Sequence, residues 1–278
     1  MRELLRTLLA LTRARVGLAM VGLLCALALF APLFAQYDPI VQIDLATRQM
    51  LPPSLSHPLG TDFYSRDMLA RVLFGARISL TIALLSVFVS ITIGTAVGLT
   101  AGYLGGAVET VVMRFVDAAL AIPRVFLLLV VLALWRNIGV PGLILILGLT
   151  SWFVTARIVR AEVLSLKRRE FVVATHALGY GSGRITWRHL LPNVAAPIIV
   201  AATLGVGQIV LLEAGLSYLG IGVQPPTPSW GTMIADGQPQ LASAWWISTF
   251  PGLAIMLTVI GFSLIGDSLR DTLDPRSQ

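Results

Sequence analysis

The sequence is short of charge, cysteine and clustered histidine, and each shortage excludes something. Only 12% of its 278 residues are charged while 56% are hydrophobic, more apolar surface than a water-soluble fold can hide. The single Cys25 lies inside the first long apolar run, so neither a disulfide nor a thiolate metal cluster is available, and it reads as filler in the core or against lipid. His57, His176 and His189 are scattered without metal-ligand spacing. No Gly-x4-Gly-Lys-Ser/Thr loop is present. The nearest approach, Gly179-Tyr-Gly-Ser-Gly-Arg184, follows a helical pattern rather than a strand and lacks the Lys-Ser/Thr ending, so no nucleotide site is expected in this chain. The absence of a Gly-x-Ser-x-Gly elbow argues against an intramembrane hydrolase.

What the chain does contain is hydrophobic length. A membrane span needs about 20 mainly apolar residues, and six such runs are legible, at 16–35, 78–101, 111–134, 139–159, 194–219 and 249–268. The expectation is an all-α polytopic membrane protein with six transmembrane helices and no second globular domain. The first run has a basic start (Arg2, Arg6, Arg13, Arg15), but its apolar length favours an uncleaved span over a signal peptide. The net charge of +6 is unevenly placed. Beyond the N-terminal arginines it gathers at Arg157, Arg160, Lys167, Arg168, Arg169, Arg184 and Arg188 and at Arg270 and Arg276, whereas 220–248 has neither Lys nor Arg. This asymmetry follows the positive-inside rule and places both termini and the Glu170 loop in the cytoplasm. It also makes nucleic acid an unneeded explanation for the basic balance, with lipid the natural neighbour.

Within the spans, Gly94, Gly98 and Gly102, with Gly106 beyond them, line one helix face and read as a close-packing seam. Arg114 and Asp117 are close enough to pair. Arg124 and Glu213 are the deeply placed ionisable groups. A charge at mid-bilayer costs roughly 2.5–3.5 kcal/mol on insertion scales, so each is expected to face a neighbouring helix, a partner subunit or a wet pathway. For Arg124 snorkelling stays open as well. For Glu213 an interhelical hydrogen bond is the competing reading.

The most informative polar stretch is Glu170–Asn193. Phe171, Ala174, Thr175 and Leu178 fall at helical spacing and form a small-plus-apolar face. Gly179 suits a helix C-cap, and Pro192 suits the first turn of the next helix. By itself such a segment could rest on lipid headgroups. The spacing of Glu170, Ala174, Gly179 and Leu191-Pro192 resembles the cytoplasmic loop of ABC importer permeases, whose pattern is Glu-Ala-Ala, three residues, Gly, nine residues, Ile, one residue, Leu-Pro. Val173 and Thr175 depart from it, and His189 stands at the Ile position.

A second stretch carries the resemblance further. His57-Pro-Leu-Gly60-Thr61-Asp62-Phe-Tyr-Ser65-Arg66-Asp67 is similar to the Leu-Gly-Thr-Asp, two residues, Gly-Arg-Asp signature of the dipeptide, oligopeptide and nickel branch of these permeases, with Ser65 in place of the usual Gly. From the residues alone, Asp62, Arg66 and Asp67 can pair and cap locally in a compact loop. The stretches 216–231 and 266–276 continue the similarity, and Trp245 and Trp246 suit interface anchors.

The resemblance implies a type I ABC importer permease fold and a non-catalytic subunit that moves peptides. Implied partners are a homologous second permease, ATPase subunits that would hold the ATP and Mg, and an extracytoplasmic solute-binding protein. The setting would be a bacterial or archaeal cytoplasmic membrane. Glu170, Phe171, Ala174, Thr175, Leu178, Gly179, Leu191 and Pro192 would couple to the ATPase. Gly60, Thr61, Asp62, Arg66 and Asp67 would lie near the docking face for the binding protein. The chain is expected to divide into 1–77, with the first span and an external loop, and a five-helix core 78–278 containing the coupling loop 160–193. Nickel or glutathione import is the alternative within the family. A self-powered secondary transporter is the alternative outside it, although no internal repeat is evident.

Overall fold

The structure is a computed structural model that describes residues 8–45, 47–135 and 138–273. Arg2, Arg6 and Arg276 of the topology argument lie outside the described residues. Helix α1 is Thr12–Leu29, α2 Met68–Leu104, α3 Gly106–Ala121, α4 Arg124–Leu134, α5 Val140–Leu149, α6 Trp152–Leu166 and α7 Glu170–Ala177. A short turn at Ser182–Arg184, a π-helical stretch Ile185–Leu190 and the turn Leu191–Asn193 then lead into α8, Ala195–Tyr218. Helices α9, Trp230–Gly237, and α10, Trp246–Leu273, complete the chain. Among the described residues the only strand-like pairing is an isolated bridge between Thr61 and Asp67.

Among the described residues five stretches are long and apolar enough to cross a membrane: Thr12–Leu29, Met68–Leu104, Val140–Leu166, Ala195–Tyr218 and Trp246–Leu273. The expected span at 111–134 is instead two helices, α3 and α4, meeting at 89°, and the total reaches six only if this bent pair counts as one. The physical cause is Pro123, which has no N–H to continue the helix and forces the residue before it out of the helical region. Ile122 is accordingly extended, at φ −86° and ψ 124°. A milder break at Thr150 and Ser151 separates α5 from α6.

Helix α2 is the axis of the bundle. Its N-terminus is capped by the Asp67 carboxylate, which accepts from the Ala70 amide at 2.8 Å, and it ends at Gly105 with φ +68°. It begins ten residues before the expected start of the span at 78, so residues 57–67 abut a continuous helix and the expected 77/78 boundary falls inside α2. At about 1.5 Å per residue its 37 residues reach roughly 55 Å, beyond both faces of a bilayer core.

The glycine seam packs α2 against α6. A Cβ on Gly94 would lie 2.6 Å from Thr155 Cβ, one on Gly98 2.6 Å from the Ala156 carbonyl, and one on Gly102 2.8 Å from Val163 Cβ. The two helices therefore run parallel with their backbones closer than any side chain at these positions would allow. The main core gathers Met68, Leu147, Ile209, Trp230 and Ile247 at one end of α2 and in its middle. A separate core of Leu99, Val159, Val163, Leu166, Val172, Ile185 and Leu190 sits at the other end.

Candidate functional site

At the Leu104 end of α2 the chain makes an elbow around α7. Lys167 fixes its approach: its Nζ donates to the carbonyls of Tyr103 at 2.6 Å and Gly102 at 3.3 Å, satisfying the C-terminal carbonyls of α2. His176 of α7 stacks on the Tyr103 ring with centroids 6.2 Å apart. Val172 is fully buried in the elbow core, which pins one face of α7. Helix α7 stops in a Schellman arrangement, with Tyr180 N–H donating to Thr175 O at 3.2 Å and Gly179 N–H to His176 O at 3.0 Å. Gly179 makes this turn possible with φ +74°.

The opposite face of α7 is open. Phe171 and Leu178 are exposed, Leu178 by 69%, and Ala174 lies between them. Thr175 does not share that face, contrary to the expectation from spacing. It is buried, and its hydroxyl donates to Val172 O at 2.7 Å. Glu170 is exposed at the first turn, where a carboxylate favours the helix dipole. Leu191 is half-buried and Pro192 exposed in the turn ahead of α8. The π-helical stretch before it turns Leu190, not His189, into the elbow core.

At the Met68 end of α2 the chain is locked by charges. Asp62 accepts the amides of Tyr64 and Arg66 at 2.9 Å each and the Arg66 Nε at 2.7 Å. Arg66 and Arg71 each place an Nη2 at 3.2 Å from one oxygen of Asp236 in α9, and Arg71 Nη1 lies 3.5 Å from Asp62. Burial pushes the Asp236 carboxyl above the usual carboxylate range, and the Arg71 and Arg66 guanidiniums offset only part of that rise. Asp67 caps α2 with one oxygen and meets His57 Nδ1 at 2.8 Å with the other. Thr61 joins the same knot, donating to Arg48 O at 2.6 Å.

Gly60, at φ +79°, lets the chain pass Trp246, whose Nε1 donates to Thr61 O at 3.0 Å. Trp246 is therefore a buried clamp, not an interface anchor, whereas Trp245 is half exposed. The loop is thus held by α9 and α10 as well as by its own hydrogen bonds.

Glu213 and Arg124 separate. Glu213 is fully buried and accepts from Ser79 at 2.9 Å and Ser217 at 2.7 Å, while Ser79 accepts from the Trp230 amide at 3.4 Å. It joins α2, α8 and α9 within this chain. Arg124, at the start of α4, reaches across to the α5–α6 break, donating to Leu147 O at 3.3 Å and to Ser151 Oγ. Arg114 does not pair with Asp117 as its proximity suggested; Asp117 pairs with Arg157, and Glu109 pairs with Arg160, tying α3 to α6.

Several of these partners were not singled out from the sequence. Arg71 continues the 57–67 pattern in sequence, but its partner Asp236 lies 165 residues away, and nothing local marks either as the hub. Ser151 reads as an ordinary small residue until the helix breaks place it beside Arg124, and Ser79, which continues the 57–67 pattern in sequence, gains its role only when α8 brings Glu213 to it. Among the described residues no cluster of His, Cys, Asp and Glu could hold a metal ion.

Residues 94–278 match the family described as "Binding-protein-dependent transport system inner membrane component", and residues 1–53 match "N-terminal TM domain of oligopeptide transport permease C". The chain belongs to this family of binding-protein-dependent permeases. Similar relatives include the dipeptide transport system permease protein DppC of Escherichia coli K12, 44% identical over 95% of this chain and 89% of that protein. The DppC of Alkalihalophilus pseudofirmus is 38% identical over 99% and 90%, and the oligopeptide transport system permease protein OppC of Bacillus subtilis 38% over 95% and 85%. Among solved structures, an inward-facing MetNI methionine ABC transporter chain superposes with a TM-score of 0.57 at 21% identity, over 74% of this chain and 98% of that one. The fold is that of an ABC importer permease, nearly all helical, and the permease is a multi-pass membrane protein.

Proposed function

We propose that this permease is the membrane-spanning subunit through which an ATP-driven importer passes short peptides into the cell. The relatives named for dipeptide and oligopeptide transport support the cargo. The carrying observation for the mechanism is α7: one face is pinned by Val172 and its approach by Lys167, and the other offers Phe171, Ala174 and Leu178 with nothing among the described residues to cover them. A rigidly mounted helix with an open apolar face transmits force to whatever grips it. The partner would be an ATPase subunit, which would hold ATP and Mg, so the permease itself performs no chemistry. The elbow then faces the cytoplasm together with both termini, in agreement with its basic residues, and the charged knot at the Met68 end faces the binding protein. A second, homologous permease would complete the path. ATP-driven closure of the ATPases would move α7 as a handle and switch the spans between inward- and outward-facing states.

The test is reconstitution in liposomes with the second permease, ATPases and binding protein that function with it. ATP-dependent accumulation of radiolabelled dipeptide is expected. Accumulation of nickel or glutathione with no peptide would replace the cargo, and transport by the isolated chain without ATPases would overturn the mechanism.

A further inference from the structure

The α4–α5–α6 region encloses a feature that neither the fold nor the elbow explains. Between α2, α6 and α8 lies a cavity of about 200 Å³ whose polar lining is Ser90, Arg124, Ser151, Thr155 and Gln208. The lining contains an arginine and no acid. Two helices give its depth independently. Ser90 lies about 21 Å from the Leu104 end of α2, and Gln208 about 20 Å from the Ala195 end of α8, at 1.5 Å per residue. Both ends lie on the elbow side, so the cavity sits near the middle of the hydrocarbon layer, roughly 30 Å thick.

Arg124 is held there by both helix breaks. It starts α4 directly after Pro123, and its Nη2 is engaged by Leu147 O and Ser151 Oγ at the second break. Its Nε is buried with no hydrogen-bond partner among the described residues. Gln208 is exposed on α8. A cation kept at this depth without a counter-charge is costly unless it meets an anion during the working cycle. The guanidinium has donors left over in a fork that fits a carboxylate.

We propose that this cavity is a way-station in the translocation path at which Arg124, assisted by Ser151 and Gln208, receives the carboxylate of the passing peptide. The inference rests on the peptide reading above. Arg124 would be a specificity-determining residue: the peptide amide dipoles can be satisfied by many polar groups, but in a water-poor channel its terminal charge needs an opposite charge.

The experiment uses the complete reconstituted complex and measures uptake per ATP hydrolysed for a dipeptide and for its C-terminal amide, each preloaded on the binding protein. The wild type is expected to move the free acid several-fold more efficiently than the amide. Arg124→Gln should lower free-acid uptake per ATP about tenfold, with binding-protein-stimulated ATP hydrolysis retained, and Arg124→Lys should recover part of it. Gln208→Glu leaves the Arg124 contacts intact while placing an acid in the cavity, so it should reproduce the loss even if Arg124→Gln fails to assemble. Equal wild-type uptake per ATP of acid and amide, or undiminished free-acid uptake per ATP in Gln208→Glu, would overturn the proposal alone. If the wild type moves neither peptide, the cargo reading fails and this inference with it.

Discussion

At the Met68 end of α2, the 57–71 stretch, Asp236 and Trp246 balance one another's charges within one chain, although the buried Arg71 Nε and Nη1 find no hydrogen-bond partner among the described residues. At the Leu104 end, α7 is anchored on one side only and shows Phe171, Ala174 and Leu178 to its surroundings. The same helix therefore connects a self-sufficient cap to an incomplete elbow. A substitution at the first should be felt as lost stability of this chain. A substitution at the second should be felt only when the partner is present.

The largest effect is expected at Gly179. A Cβ there would meet no atom of the described residues within 4 Å, so the backbone cost of Gly179→Trp is that of a non-glycine residue at φ +74°, about 1–2 kcal/mol at a helix end. In the reconstituted complex it should abolish ATPase stimulation by the binding protein, while the purified chain still inserts and elutes normally. Gly179→Ala bears the same backbone cost without the bulk and should keep most of the stimulation. Equal loss in both would mean that the helix end, rather than a gripped surface, is what matters.

Arg71→Met should be next and opposite in kind. It removes a buried cation from between Asp62 and Asp236. Breaking a buried pair from one side costs roughly 3–5 kcal/mol, seen as a drop in thermal midpoint in detergent. Adding Asp236→Asn should restore part of the loss, because Arg66 then keeps its pair with Asp62 and no carboxylate is left without a cation. A smaller loss, roughly 1–2 kcal/mol, is expected for Glu213→Gln, since an amide keeps one acceptor for Ser79 or Ser217 while its NH2 forces the other hydroxyl to give up its bond and accept instead. Its transport should decline no more than its folding does. Lost uptake by a normally stable variant would return Glu213 to the pathway.

How far these ends could be read in the sequence follows from the range of the interactions. The Gly179 cap, the Gly94–Gly102 seam and the Asp62–Arg66 pair each depend on spacings of a turn or a few turns, so local periodicity shows them. The burial of Thr175 was missed because four candidate positions cover more than one face of a two-turn helix, and only the elbow core decides which of them turns inward. The α3–α4 bend was missed although Pro123 was visible, because hydropathy counts apolar residues and is blind to a lost N–H. Asp236 and Trp246 were out of reach for a different reason: their partners are chosen by the folding of α9 and α10 onto the start of α2.

The smallest effect sharpens the comparison at its stable end. Ser65 occupies a left-handed conformation, φ +64°, where the related signature has glycine. A non-glycine residue there costs about 1–2 kcal/mol, but the Ser65 hydroxyl donates to Asp44 O and its amide donates to Asp62 O at 3.0 Å. A hydrogen bond of this kind contributes about 0.5–1.5 kcal/mol, so the two terms nearly cancel. Ser65→Gly should therefore change stability by less than about 1 kcal/mol, whereas Ser65→Ala, which keeps the strain and loses the hydroxyl, should be the less stable of the two in thermal unfolding. If Ser65→Ala matched the wild type while Ser65→Gly fell well below it, the hydroxyl would be contributing nothing and the turn would be held by Asp62 alone.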